Sequence, residues 1–91
     1  MDTLVWQMVS FVSNTMNYQQ QLDARGLACP MPLLKTKLAL QQLAVGDVLW
    51  VIASDQGSWR DIPRYVELSV HQLVASDVVD GDYHFWLKKG A

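Results

Sequence analysis

A chain of 91 residues holds one domain, and a domain of that size hides only about 60–65% of its unfolded surface, which excludes a deep enclosed substrate cavity. Hydrophobic residues at 51% and charged residues at 18% exclude a disordered chain, while a formal charge of −2 speaks against a dedicated nucleic-acid binder. The single cysteine, Cys29, excludes an intramolecular disulfide and a cysteine-based metal cluster, and suits the reducing cytoplasm.

The run at 4–12 is apolar but has barely half of the roughly 20 residues that a membrane-spanning helix needs. The only charge beside it is Asp2, and no small-residue cleavage site follows, so neither a membrane span nor a targeting signal is expected. Two readings stay open for residues 1–15. They are an upstream extension, with the start at Met16, or an added element packed on the domain or on a twin subunit. Polar residues 17–21 mark the passage from this extension (1–17) to the domain (18–91).

A short strand is expected at 18–23. Residues 30–43 predict a helix, rich in Leu, Lys, Gln and Ala, with Pro30 and Pro32 in the first turn where missing N–H groups do no harm. Its stripe would be Leu33, Thr36, Leu40 and Leu43, flanked by Leu34 and Leu38, and Gly46 would follow its end. The β-branched run at 48–53 predicts a central strand, and 54–58 a loop. A second helix would run from Ser58 or Asp61 to Val70, with Trp59, Ile62, Val66 and Val70 inward. Pro63 would force its start to lie close by, capped by Ser58 or by Asp61. Strands at 72–79 and 82–88 flank Asp80-Gly81, a two-residue hairpin signal. The order β-α-β-α-β-β predicts an α+β, two-layer sandwich: a four-stranded mixed sheet with both helices on one face and the other face open.

Cys29 would lie where the first strand's exit loop meets the first helix, at the N-cap if Pro30 is the first helical residue. The helix dipole there favours an anion by about 0.3–1 kcal/mol and lowers a thiol's pKa. With Pro30 and Pro32 lacking N–H groups, the amides of Met31 and Leu33 would face the sulfur. A Cys-x-x-Cys oxidoreductase is excluded because there is no second thiol to resolve a mixed disulfide. A cysteine hydrolase would want a nearby His; His71 and His84 fall late in the chain and read as surface or edge residues. What remains for a lone, exposed thiol is to hold a group and pass it on.

The stretch Leu22-Asp23-Ala24-Arg25-Gly26-Leu27-Ala28-Cys29-Pro30-Met31-Pro32 resembles the signature of the TusA/SirA-like sulfur carriers, Cys-Pro-x-Pro preceded by Asp-x-x-Gly-Leu-x. The resemblance continues through Leu33-Leu34-Lys35-Thr36-Lys37, Gly46-Asp47-Val48-Leu49 and Arg60-Asp61-Ile62-Pro63, and covers about 18–90. It implies a fold similar to the C-terminal domain of bacterial translation initiation factor three. It also implies that Cys29 takes sulfane sulfur from a cysteine desulfurase as a persulfide and relays it to a downstream sulfur-relay protein. The destination in the best-known branch is tRNA 2-thiouridine, and other branches serve molybdenum-cofactor supply or sulfur oxidation. A sulfurtransferase-like carrier of this kind has no independent turnover, and the resemblance implies no metal or cofactor, no membrane partner, and nucleic-acid contact that is absent or indirect. The chain departs from the pattern at Ser54-Asp55, where many members carry an acidic pair, and at Trp59 and Arg64, which replace smaller residues.

A persulfide is more acidic than a thiol and suits a helix N-terminus. Arg25, Lys35, Arg60 and Arg64 are expected to form a basic rim that orients the sulfur and meets acidic partner surfaces. Asp23 would fix the cysteine loop, in which Gly26 also lies, by accepting backbone N–H bonds. Asp61 reads as a helix cap before it reads as an acid. The alternative is a non-enzymatic regulatory or RNA- or protein-binding module in which Cys29 is incidental, with Trp50, Tyr83, Phe85 and Trp86 making the open sheet face adhesive; its strands lack the aromatic-and-basic pattern of RNA readers.

Overall fold

The computed structural model describes residues 17–91, so the apolar run at 4–12 and the start at Met16 lie outside the described residues. The chain forms β1 (Gln20–Ala24), α1 (Met31–Gln41), β2 (Val48–Ala53), α2 (Gln56–Glu67), β3 (Gln72–Val79) and β4 (Asp82–Lys88). β2 is the most apolar strand and takes an inner place in the sheet order β1-β2-β4-β3. It pairs parallel with β1 and antiparallel with β4, and β4 pairs antiparallel with β3, which makes the sheet mixed as expected. Asp80 and Gly81 both have positive φ (52° and 84°), the backbone that the tight β3–β4 turn requires.

Side chains alternate across the strands and divide the sheet into two faces. Leu49 and Val51 of β2 and Phe85 and Leu87 of β4 are fully buried against Leu40 of α1 and Ile62 and Val66 of α2. Burial of each such large side chain contributes about 1.5–3 kcal/mol, so this layer holds both helices on one face. Trp50, His84 and Trp86 alternate onto the opposite face, where the two indoles stack at 5.7 Å and 14°. Trp50 Nε1 donates to His84 Nδ1 at 3.0 Å, and Tyr18 packs edge-on against Trp50. Tyr83 and Phe85 belong to the core side instead, which corrects the expectation that they border the open face.

The elements also correct several expectations. β1 begins two residues later than predicted and ends one later. In α1 the buried set is Pro32, Thr36, Ala39 and Leu40, with Leu33 and Leu43 only partly covered. The Thr36 hydroxyl remains satisfied in the core by donating to Pro32 O at 2.7 Å. α2 starts at Gln56, ahead of both predicted caps, because Asp55 is the N-cap and accepts from Gly57 N at 2.9 Å. Pro63 lies inside the helix and does not set its start. The inward residues of α2 are Ser58, Ile62 and Val66, while Trp59 and Val70 are exposed. His71 is remote from Cys29 in the contacts it makes: its Nδ1 accepts from Gly90 N at 3.0 Å.

Candidate functional site

Parallel pairing of β1 and β2 brings the loops that follow them to one end of the sheet, and the β3–β4 turn lies at that end because Ala53 pairs with Tyr83. The loop after β1 is pinned at three points. Asp23 Oδ1 accepts from Arg25 N at 3.1 Å, and its carboxylate grips the Arg25 side chain through Nε (2.9 Å) and Nη2 (2.8 Å). Gly26, at φ 83°, turns its N–H onto Ser54 Oγ at 2.8 Å and so ties this loop to the one after β2. Arg25 also approaches Asp82 of β4 at 3.7 Å. The Asp23 carboxyl is held down to about 2 by its hydrogen bonds from Arg25.

Cys29 is a free, exposed thiol in this loop. It does not cap α1: Pro30 does, with Cys29 one residue further out. Met31 N–H donates to Ala28 O at 2.9 Å and Leu34 N–H to Pro30 O at 3.0 Å, so the Met31 amide, which was expected to face the sulfur, is already taken. Pro30 and Met31 are exposed, whereas Pro32 is buried and anchors the first turn of α1 to the core.

Instead the sulfur faces α2. Cys29 Sγ donates to Asp61 Oδ2 at 2.9 Å, and Arg60 Nε donates to Asp61 Oδ1 at 3.3 Å. Asp61 is therefore neither cap nor solvated helix residue but the partner of the thiol, which corrects the expectation that it begins α2. Gly57, in the first turn of α2, lies beside the pair: a Cβ there would crowd Asp55 Oδ2 at 2.8 Å and stand in ordinary van der Waals contact with Cys29 Sγ at 3.6 Å.

The electrostatics reverse the expected sign. The hydrogen bond to Asp61 pushes the Cys29 thiol above its ordinary value, with burial and the charges of Asp61 and Asp55 adding to the rise and Arg60 opposing it. The same hydrogen bond, with that from Arg60, lowers the Asp61 carboxyl. At neutral pH the resting pair is a protonated thiol donating to a carboxylate.

The expected basic rim is only partly assembled. Arg25 is paired with Asp23 and Arg60 with Asp61. Lys35 is exposed on α1, and Arg64 lies with Trp59 and Arg60 along an open groove between α2 and the β3 edge. Sequence reasoning passed over Ser54, Asp55 and Gly57 as functional residues. The available signal was Asp55-Gln56-Gly57, an Asp two residues before a Gly, which is a cap and turn pattern in its own right.

The family model described as Sulfurtransferase TusA matches residues 20–89. The fold is similar to the crystal structure of a SirA-like protein from Desulfitobacterium hafniense, with a TM-score of 0.71 and 25% sequence identity over 80% of this chain and 100% of that one.

Proposed function

The chain belongs to the TusA sulfurtransferase family, and on that premise we propose that it carries sulfane sulfur as a persulfide on Cys29. The observation that carries this reading is the free, exposed Cys29 thiol at the end of the sheet, in a loop braced by Asp23 and Gly26 and hydrogen-bonded to Asp61. In loading, Cys29 Sγ attacks the terminal sulfur of a donor persulfide. The donor's S–S bond breaks, a new S–S bond forms at Cys29, and the donor leaves as a thiol with the proton Cys29 gives up. No oxidant or reductant enters. Unloading is the same exchange with an acceptor thiol attacking the outer sulfur.

The donor is a cysteine desulfurase and the acceptor a further relay protein, with tRNA 2-thiouridine as one destination. Residues 18–91 form the carrier domain, and a thiol that must stay reduced between loadings suits the cytoplasm. Among the described residues no helix is long and apolar enough to cross a membrane. Arg60 and Arg64, exposed along α2, and Lys35, exposed on α1, are the cations that meet a partner's acidic surface, while Arg25 is committed to bracing the loop.

The test is mass spectrometry of the Cys29 peptide after incubation with a desulfurase, L-cysteine and pyridoxal phosphate. Gain of one sulfur atom, absent in Cys29→Ser, supports the carrier. No gain with several desulfurases favours the binding module. That second reading rests on the half-exposed stack of Trp50, His84 and Trp86. The carboxylates of Asp23, Asp77 and Asp82 share that face by register and oppose a phosphate backbone, so its partner would be a protein.

A further inference from the structure

We propose that Asp61 biases the carrier toward its empty state, a role that rests on sulfur carriage at Cys29. Asp61 holds the bare thiol and rejects the persulfide, so that cargo is delivered and not retained. Its Oδ2 lies 2.9 Å from Cys29 Sγ, and an ionised carboxylate only accepts hydrogen bonds. A thiol has one proton to donate and satisfies it. A persulfide is more acidic, is an anion at neutral pH and has no proton to give. Loading therefore removes the hydrogen bond and sets a second negative charge against Asp61.

The surroundings sharpen the difference. Asp55, the cap of α2, stands on the same side, and both carboxylates already disfavour negative charge on Cys29. Arg60 offsets part of this, but its Nε is engaged with the other oxygen of Asp61 at 3.3 Å. The charges of Asp61 and Asp55 repel the anionic outer sulfur, which therefore extends toward the solvent side on which Cys29 is exposed. The loaded sulfur thus leaves Asp61 and projects to where an acceptor thiol arrives. An exchange with a small persulfide exposes the bias directly. The persulfide anion of glutathione and the Cys29 thiol yield the Cys29 persulfide anion and glutathione thiol, with one S–S bond broken, one formed, and the proton passed from Cys29 to glutathione.

The full chain and its Asp61→Asn variant are equilibrated without oxygen in mixtures of glutathione persulfide and glutathione at neutral pH, and the loaded fraction is weighed. Asp61→Asn shifts the equilibrium toward the loaded form by roughly tenfold, the equivalent of one pKa unit of differential interaction. Equal or lower loading of the variant overturns the proposal. If neither protein takes up sulfur, carriage itself fails and this proposal with it; if both load alike, only the role of Asp61 fails. A second readout needs no variant. A carbon-13 titration of the Asp61 carboxyl in the unmodified chain moves its pKa upward on loading, because a donor is lost and an anion gained. A value unchanged by loading overturns the proposal.

Discussion

Gly57 stands against Cys29 so closely that a methyl group added to it would lie 3.4 Å from the cysteine Cβ and 3.6 Å from its sulfur, and within 2.8 Å of the Asp55 carboxylate that caps the same helix. The seat of the thiol and the start of α2 therefore share one small residue. In Gly57→Ala, the helix gains up to about 1 kcal/mol in propensity but strains a cap worth about 0.5–2 kcal/mol. Net stability by urea unfolding stays within about 1 kcal/mol of the parent. Iodoacetamide alkylation of Cys29 stays within about twofold of the parent, because the added methyl meets the sulfur only at ordinary van der Waals distance. A severalfold change in alkylation would mean that the methyl displaces the sulfur.

Asp55 has two roles that one pair of variants separates. Asp55→Ala removes the acceptor of the Gly57 N–H and costs about 0.5–2 kcal/mol by urea unfolding. Asp55→Asn keeps a capping oxygen, preserves most of that stability and removes the charge. Both variants lower the Cys29 thiol pKa, since Asp55 is one of the charges that raise it. The pH profile of alkylation then shifts to lower pH in both, while stability falls clearly in only one.

The brace of the cysteine loop has its own pH dependence. Arg25 holds the folded-state Asp23 pKa at about 2, below the ordinary 3.8. A depressed carboxyl adds stability that is fully present above the ordinary value and is lost as pH falls toward the folded one. The loop contacts of Arg25 and Gly26 accordingly persist through mild acid and loosen between about pH 4 and pH 2. Amide chemical shifts of those two residues report the change. Because both side chains of the pair are half-exposed to solvent, added salt weakens it, and the overall melting temperature moves little.

The two sides of α1 offer a contrast in packing. Leu40 is 1% exposed and Leu38 is 52% exposed, although both are leucines in the same helix. Leu40→Ala is expected to cost about 2–5 kcal/mol, and Leu38→Ala to change stability by no more than about 0.5 kcal/mol. Equal effects in denaturant unfolding would mean that α1 packs on a different face.

Most of the fold was legible because its signals are local. The apolar run of β2 and the Asp80-Gly81 turn each declare themselves within a few residues, and β2, β3 and β4 fall where those patterns place them. The start of α2 was not legible for an equally local reason. Ser58 and Asp61 are both cap-forming types, and Pro63 suggests a boundary, whereas tertiary packing buries Ser58 and carries the helix through the proline. The cysteine loop was readable from Cys29 with its prolines and Gly26. The sign of its electrostatics was not, since it is set by Asp61, 32 residues further on, and not by the adjoining helix turn. A periodic pattern on α2 records which residues face the core; it does not record which partly exposed residue meets a loop.

One consequence of the strand pairing concerns assembly. The chain enters β1 beside Val48, where Gln19 N–H donates to Val48 O at 2.9 Å, and it departs β4 beside Asp47, where Lys89 N–H donates to Asp47 O at 2.8 Å. Both points of attachment lie at the rim of the sheet opposite Cys29. A tag, a tether or a neighbouring module joined at either place would hang from the rim opposite Cys29 and leave the thiol's end of the sheet clear of the join.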